Sequence, residues 1–545
     1  MNRPRVTNYM TRKHIAVLVT ISCSFAHPSG MGLSGQGEEP GSGWWHDVQV
    51  LADDSMHGRA AGSPDYERAA AYVESQFRGA GLQSSRPEGF SQTVPLVLRS
   101  VDDTRSSLTL VRGGSEESLV LGEDAMLMPR APLVAQSEGD LVFAGYGLDL
   151  PEYGHDDLRG LDLRGKVVVY LAGKPKGIPG PVLSHARNQA WAAFRAAGAI
   201  GMVAFSTART DSAFRAAATN RAAAMSLSDE KLDVQAGNHL SVQMNLARGE
   251  KLFAGTPERF ASLVARADSG LPLPRFALGA RLRARAAVNE TRVTSENVIG
   301  VLPGSDPALH NEYVVLTAHL DHLGIGKPVK GDSIYNGAMD NASGTALLMD
   351  LARNFAREHA AFRRSVIFAA VTAEEEGRLG STYFANHPTV DGRSIVADIN
   401  TDMFLPMLPL TMVMVNGLEE SDLATDVRRA GESVGVKIVT DPEPEENRFV
   451  RSDQYSFVLR GIPALSLKVG FALGSAEQRT ARDFLTNRYH KPSDDTSQPV
   501  NLKTAAGFER LLMALVREVS NRDTRPSWFG DSYFRRFADD KAPSR

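Results

Sequence analysis

The chain is predicted to be an α/β protein that carries a separate β-rich region, and three patterns in its 545 residues lead there. From Ser295 onward, short apolar runs alternate with segments of helical periodicity, as strands feeding helices do. From about Ser107 to Leu282 the texture is instead short strands and glycine turns. Upstream, Trp44 to Leu82 repeats apolar residues at helical spacing.

Taken in order, Tyr66, Ala69, Ala70, Val73, Phe77 and Leu82 mark the upstream helical stretch, which turns at Gly58–Pro64. Within the β-rich region the clearest strands are in Asp140–Gly147, Gly165–Leu171 and Gly201–Phe205, with a helix near Asn188–Ala197. Further strands are expected at Tyr313–Thr317, Ser365–Thr372, Ile395–Asn400, Thr411–Val415 and Ala464–Val469. Helices are expected at Ser343–Arg357, Ser381–Asn386, Ser421–Val434 and Leu502–Val519. The length exceeds one ordinary core, so two or three domains are expected.

Composition narrows the class. Apolar residues make up 42% and charged residues 23%, as in a soluble globular chain, and the net charge is −4. That balance offers no basic surface for nucleic acid and no acidic tail. At the N-terminus, Arg3, Arg5, Arg12 and Lys13 precede the apolar run Ile15–Ala26, the length of a signal-peptide core and too short to span a bilayer. Ser24-Phe25-Ala26 supplies small residues for cleavage, so export to the periplasm or medium is expected. No later stretch reads as a transmembrane helix. The single cysteine, Cys23, falls inside this segment, and Thr20 is a poor residue three positions before a lipoprotein cysteine.

Five segments bring Asp, Glu and His to the ends of successive strands or the starts of helices. They are Thr317-Ala-His319-Leu-Asp321, Gly337-Ala-Met-Asp340-Asn-Ala-Ser-Gly344, Ala373-Glu374-Glu375-Glu-Gly377, Asn400-Thr-Asp402-Met403 and Tyr489-His490-Lys-Pro-Ser-Asp494. Open α/β sheets place their sites at the C-terminal ends of strands. Each segment alone has a plain reading: a loop histidine, a helix cap, a solvated acidic turn. Asp340 could sit at the N-terminus of the helix from Ser343, although Asn341 or Ser343 could equally cap it. Adjacent glutamates at a buried strand end repel unless a cation is present. Together the set offers two histidines and three carboxylates as ligands, one spare glutamate and no thiol. That donor chemistry suits zinc, with cobalt or manganese as substitutes, and five ligands with one bridging suit two ions. His-Glu-x-x-His, Gly-x-Ser-x-Gly and P-loop motifs are absent.

These segments resemble metallopeptidase family twenty-eight, the double-zinc aminopeptidases. The family's pattern is matched by His319-Leu-Asp321, Asp340-Asn-Ala-Ser343-Gly344, Glu374-Glu-Glu-Gly-Arg-Leu-Gly380-Ser381, Asp402-Met403 and Tyr489-His490, over roughly Glu296–Val519. The resemblance implies a mixed central sheet flanked by helices and two zinc ions bridged by Asp340. His319 and Asp402 would complete one ion's protein ligands, Glu375 and His490 the other's. Glu374 would be the general base and Asp321 the partner of His319. Arg451-Ser-Asp453-Gln454 departs from the Ser-Asp-His of many members.

The β-rich region, with Phe143–Gly154 typical of it, resembles a protease-associated domain inserted into the peptidase fold. The expected division is a signal peptide (1–26), a tether (27–43), an N-terminal part of the peptidase domain (44–106), the inserted domain (107–282), the main peptidase domain (283–525) and a C-terminal tail (526–545). The implied activity is an aminopeptidase acting on peptides. A carboxypeptidase or dipeptidase on the same scaffold would be marked by arginines near the metals, for which Arg378 and Arg451 are candidates. A one-zinc glutaminyl cyclase or a receptor-like binding protein would lack part of the ligand set.

Overall fold

Strands buried on both faces organise the molecule. The computed structural model describes residues 39–207, 210–219, 221 and 223–539. The segment expected to be a signal peptide, with Cys23, lies outside these residues. Residues 40–539, where described, pack as one unit.

A nine-stranded mixed sheet forms the core. In chain order its strands are β1 (Ser91–Val101), β2 (Ala224–Leu227), β3 (Val288–Leu302), β4 (Tyr313–His319), β5 (Ser365–Val371), β6 (Ile395–Asn400), β7 (Met412–Asn416), β8 (Lys437–Val439) and β9 (Ala464–Val469). Their spatial order is β2-β1-β3-β5-β4-β6-β9-β7-β8. The central strands β5, β4, β6 and β9 are parallel, while β3 pairs antiparallel with β5 and β7 with β9.

Alternation along these strands fills two cores. Val314, Leu316 and Ala318 of β4, with Val366, Phe368 and Ala370 of β5, face one cluster. Val315, Ile367, Ala369 and Val371 face the other. The first face is covered by α1 (Ser42–Leu51), α2 (Pro64–Gly79), α3 (Ser343–Arg357), α5 (Leu423–Val434) and α7 (Leu502–Asn521); the second takes Phe384 and Ala385 of α4 (Leu379–Asn386). A further helix, α6 (Ala476–Asn487), leads into the His490 loop. The upstream stretch Trp44–Leu82 thus packs against this sheet, with Trp44, Val48, Tyr66 and Phe77 almost fully buried. Proline at the first turn of α2 and the Ser63 hydroxyl accepting from Tyr66 N start that helix.

Between 107 and 285 the chain forms an eight-stranded sheet with its own apolar cluster, including Phe143, Val167, Phe205 and Leu282. The helix expected near 188–197 is present as Ala190–Ala196, and a further helix, Gly180–Asn188, precedes it. One strand from this stretch, β2, leaves for the large sheet and pairs with β1. The segment set apart as a tail is described to residue 539; Phe534 is buried beside Phe449 and Tyr455, and Trp528 Nε1 donates to Gly461 O.

Candidate metal centre

All five ligand segments converge at the C-terminal edge of β4, β5 and β6. His319 is the last residue of β4, Glu374 and Glu375 follow β5 through Ala373, and Asp402 lies two residues beyond β6. Asp340 precedes α3, and His490 follows α6. Ala373, Met403 and His490 have positive φ values of 52°, 49° and 55°. Non-glycine residues hold that region only where surrounding contacts fix them, and such positions cluster at functional sites.

Asp340 stands at the middle. Its Oδ1 lies 3.2 Å from His319 Nε2, and its Oδ2 lies 3.1 Å from His490 Nε2. Asp402 Oδ1 is 3.7 Å from His319 Nε2, and Glu375 Oε2 is 3.1 Å from His490 Nε2. His319, Asp340 and Asp402 form one set able to hold a cation, and His322, Asp340 and Glu375 a second. Glu375 Oε1, Asp402 Oδ1 and His490 Nε2 are buried and make no hydrogen bond of acceptable geometry. Buried polar atoms are otherwise almost always paired. Donors that close on a common centre rather than on one another fit a bound metal.

The capping ambiguity resolves locally. Asn341 Oδ1 accepts the Gly344 N–H at 3.0 Å and the Met403 N–H at 3.3 Å, leaving Asp340 free of that task. Asp494 accepts the N–H groups of Met339 and Asp340, both at 3.0 Å, and so anchors this turn from the His490 loop. Arg59, fully buried, donates to the carbonyls of Leu51, Leu320, Asn336 and Gly337. It ties the upstream stretch to the loops bearing Asp321 and Asp340. Burial lowers its pKa to about 10, against the opposing pull of Asp321, Asp494, Asp340 and Glu375.

Asp321 does not serve His319 as expected. His319 Nδ1 donates to the backbone carbonyl of Asp321 at 3.1 Å, with the Asp321 carboxylate 3.9 Å away. That carboxylate instead accepts the N–H groups of Glu374, at 3.0 Å, and Glu375, at 3.3 Å. Burial raises the Asp321 pKa to about 7.

The neighbouring glutamates diverge in environment. Burial, then the charges of Asp453, Asp402 and Glu375, push Glu374 well above the usual carboxylate range, His319 opposing. Burial also works against ionised Glu375, but His322 and His490 outweigh it and lower its pKa. Burial is likewise overcome at Asp340, held well below the usual range by His319 and His490. Glu376, third in the run, turns away: its Oε2 accepts Met225 N of β2 at 3.2 Å and its carbonyl accepts from Arg130.

Glu374, Asp340, Glu375 and Asp402 line a cavity with Met403, Glu446, Arg448, Arg451, Ser452, Lys468 and Tyr489. Arg448 is held by Asp441 and Glu443 at 2.6 and 2.7 Å. Arg451, one of the two candidate arginines, reaches this cavity. Arg378 lies instead over the Tyr455 ring, 5.3 Å from its centre. The residue that sequence reasoning missed is His322, one position past Asp321; its signal was a second histidine in the same strand-end loop.

Fold and site define an α/β protein of the aminopeptidase fold with a histidine–carboxylate centre at its strand ends. An aminopeptidase from Aneurinibacillus sp. strain AM-1 shares that fold, with a TM-score of 0.51 over 89% of this chain and 95% of that one at 18% identity. Residues 297–516 match the family model of peptidase family M28. A probable zinc metalloprotease of Pyrenophora teres f. teres is 34% identical over 111 residues, 20% of this chain and 22% of that one. A probable leucine aminopeptidase of Arthroderma otae is 32% identical over 111 residues, 20% and 28% of the two chains. Aminopeptidase YwaD of Bacillus subtilis is 32% identical over 108 residues, 20% of each. The chain thus spans about a fifth to a quarter of the length of these curated relatives.

Proposed function

We propose that the chain is a zinc-dependent exopeptidase, an aminopeptidase that removes N-terminal residues from peptides. The observation that carries this reading is the Asp340 carboxylate, with one oxygen toward His319 and the other toward His490, beside the Glu374 cavity. Two zinc ions, when bound, would polarise the scissile carbonyl and acidify a water molecule.

The remaining work falls to this chain's side chains. His319, Asp340 and Asp402 form one ligand set, Asp340, Glu375 and His490 the other. Glu374 takes the proton of the attacking water on its carboxylate and delivers it to the leaving amine. Its carboxylate belongs to no ligand set, and Asp321 fixes its main chain through the Glu374 N–H. Glu446, in the same cavity, offers a carboxylate to a free α-amino group. The β-rich stretch 107–282 is read as a protease-associated domain beside the cleft.

One observation favours a second reading, a carboxypeptidase or dipeptidase. Arg451, 3.8 Å from Glu446, and Lys468, which forms no ion pair with a carboxylate among the described residues, both line the cavity. Two such cations suit a substrate carboxylate.

The test is a kinetic screen of aminoacyl and carboxyl-terminal chromogenic substrates with and without chelator. Hydrolysis of aminoacyl substrates, lost on chelation and restored by zinc or cobalt, is expected. Full activity in demonstrably metal-free protein would sink the two-metal reading, and exclusive turnover of free-carboxylate substrates would favour the second.

A further inference from the structure

His322 belongs to neither ligand set of the proposed function, yet its side chain is fully buried in the centre of the site. Its Nδ1 lies 2.7 Å from Glu375 Oε1 and 4.0 Å from Asp340 Oδ2. Its ring centre is 5.8 Å from that of His490, at 63°. Neither ring nitrogen makes a hydrogen bond, and Glu375 Oε1 is likewise without a hydrogen-bonded partner. A simple imidazole–carboxylate hydrogen bond would satisfy both atoms; at 2.7 Å they are close but not aligned for one.

The ring is also held in place. The backbone N–H of His322 donates to the Arg59 carbonyl at 3.2 Å. Gly337, at φ +60°, packs its Cα against the imidazole, so that a Cβ there would stand 2.5 Å from the His322 ring carbon. Glycine at 337 therefore leaves the space that this ring fills, three residues before Asp340. A buried imidazole with no partner is costly, and a site that crowds one against two carboxylates and a second imidazole has the donor chemistry of a metal ligand.

We propose that His322, through Nδ1, is a protein ligand of the cation position formed by Asp340, Glu375 and His490, so that the two positions are unequal. One has four protein donors, the other three: His319, Asp340 and Asp402. Closed four-donor sets typify tightly held zinc, and three-donor sets keep a coordination position open for water or substrate. The four-donor position fills first and holds its ion; the three-donor position exchanges. The inference rests on the two-metal reading above and adds a ligand and an order of filling to it.

Calorimetric titration of chelator-treated full-length protein with zinc, with metal content measured by mass spectrometry after dialysis, tests it without recourse to activity. Wild-type protein should bind two equivalents in two steps. In His322→Gln the tighter step should weaken by roughly 100-fold or more, beyond the 10–100-fold that an outer partner of a ligand typically carries. In Asp402→Asn the tighter step should survive and the weaker one fail. A tighter step within about tenfold of wild type in His322→Gln overturns the assignment. So does loss of the tighter step in Asp402→Asn, which stands even if the His322 variant does not fold when chelated. Wild-type protein that binds fewer than two ions, or binds two and cleaves no peptide, would count against the proposed function rather than against His322.

Discussion

The carboxylate of Asp321 accepts the backbone N–H of Glu374 at 3.0 Å, while the carbonyl of the same residue accepts Nδ1 of His319. One residue thus couples both halves of the site, through its side chain to Glu374 and through its main chain to His319. Asp321→Asn keeps the carbonyl and replaces one acceptor oxygen with an N–H donor facing the Glu374–Glu375 backbone. We expect kcat to fall by about 10–100-fold with zinc content unchanged, read by steady-state kinetics beside metal analysis. Zinc loss with an unchanged rate per bound ion would return Asp321 to the imidazole.

Glu374 and Glu375 should respond oppositely to the same substitution. Glu374→Gln removes the proton acceptor and leaves both donor sets, so kcat should drop by roughly 10²–10⁴-fold with both ions retained. Glu375→Gln should lose or loosen one ion, since Glu375 Oε1 and Oε2 face His322 and His490. The reverse pattern of metal contents would exchange their roles.

A pH dependence of stability arises far from the metal centre. Glu509 on α7 is 7% exposed, and burial together with the Asp350 carboxylate of α3 raises its pKa to about 8. An unfolded glutamate titrates near about 4.3. Between those values the folded chain holds a proton that the unfolded chain has released, so stability falls as pH rises through the window. Glu509→Gln mimics the protonated form and can still accept from Asn354 Nδ2. Relative to wild type it should gain roughly 1–3 kcal/mol between about pH 5 and about pH 8.5, measured by unfolding at both values. An equal effect at both would remove Glu509 as the titrating group.

Export is the last expectation, and it rests on residues outside the described structure. Cleavage after Ser24-Phe25-Ala26 should give a mature terminus near His27 and a chain without cysteine. N-terminal sequencing of protein from the native envelope or medium checks this; an intact Met1 in a cytoplasmic fraction would make it wrong.

Local pattern alone was enough for Ser343–Arg357, Ile395–Asn400 and Ala464–Val469, which the structure contains with the expected bounds. Long periodicity and apolar runs ending at sharp turns are written in consecutive residues, so each such element and its terminal Asp, Glu or His was legible from the sequence. What tertiary structure decided was partnership. Arg59 meets Leu320 across 261 positions of sequence. Glu376 leaves the acidic run for β2, a strand supplied by the β-rich stretch. Asp321 faces a backbone rather than the histidine two residues away, and His322, one residue further on, turns inward among the candidate ligands. Adjacent residues at a strand end point in directions set by the packing around them. The sequence therefore determined which donors arrive at the sheet edge, and only the folded contacts decided which atoms face a common centre.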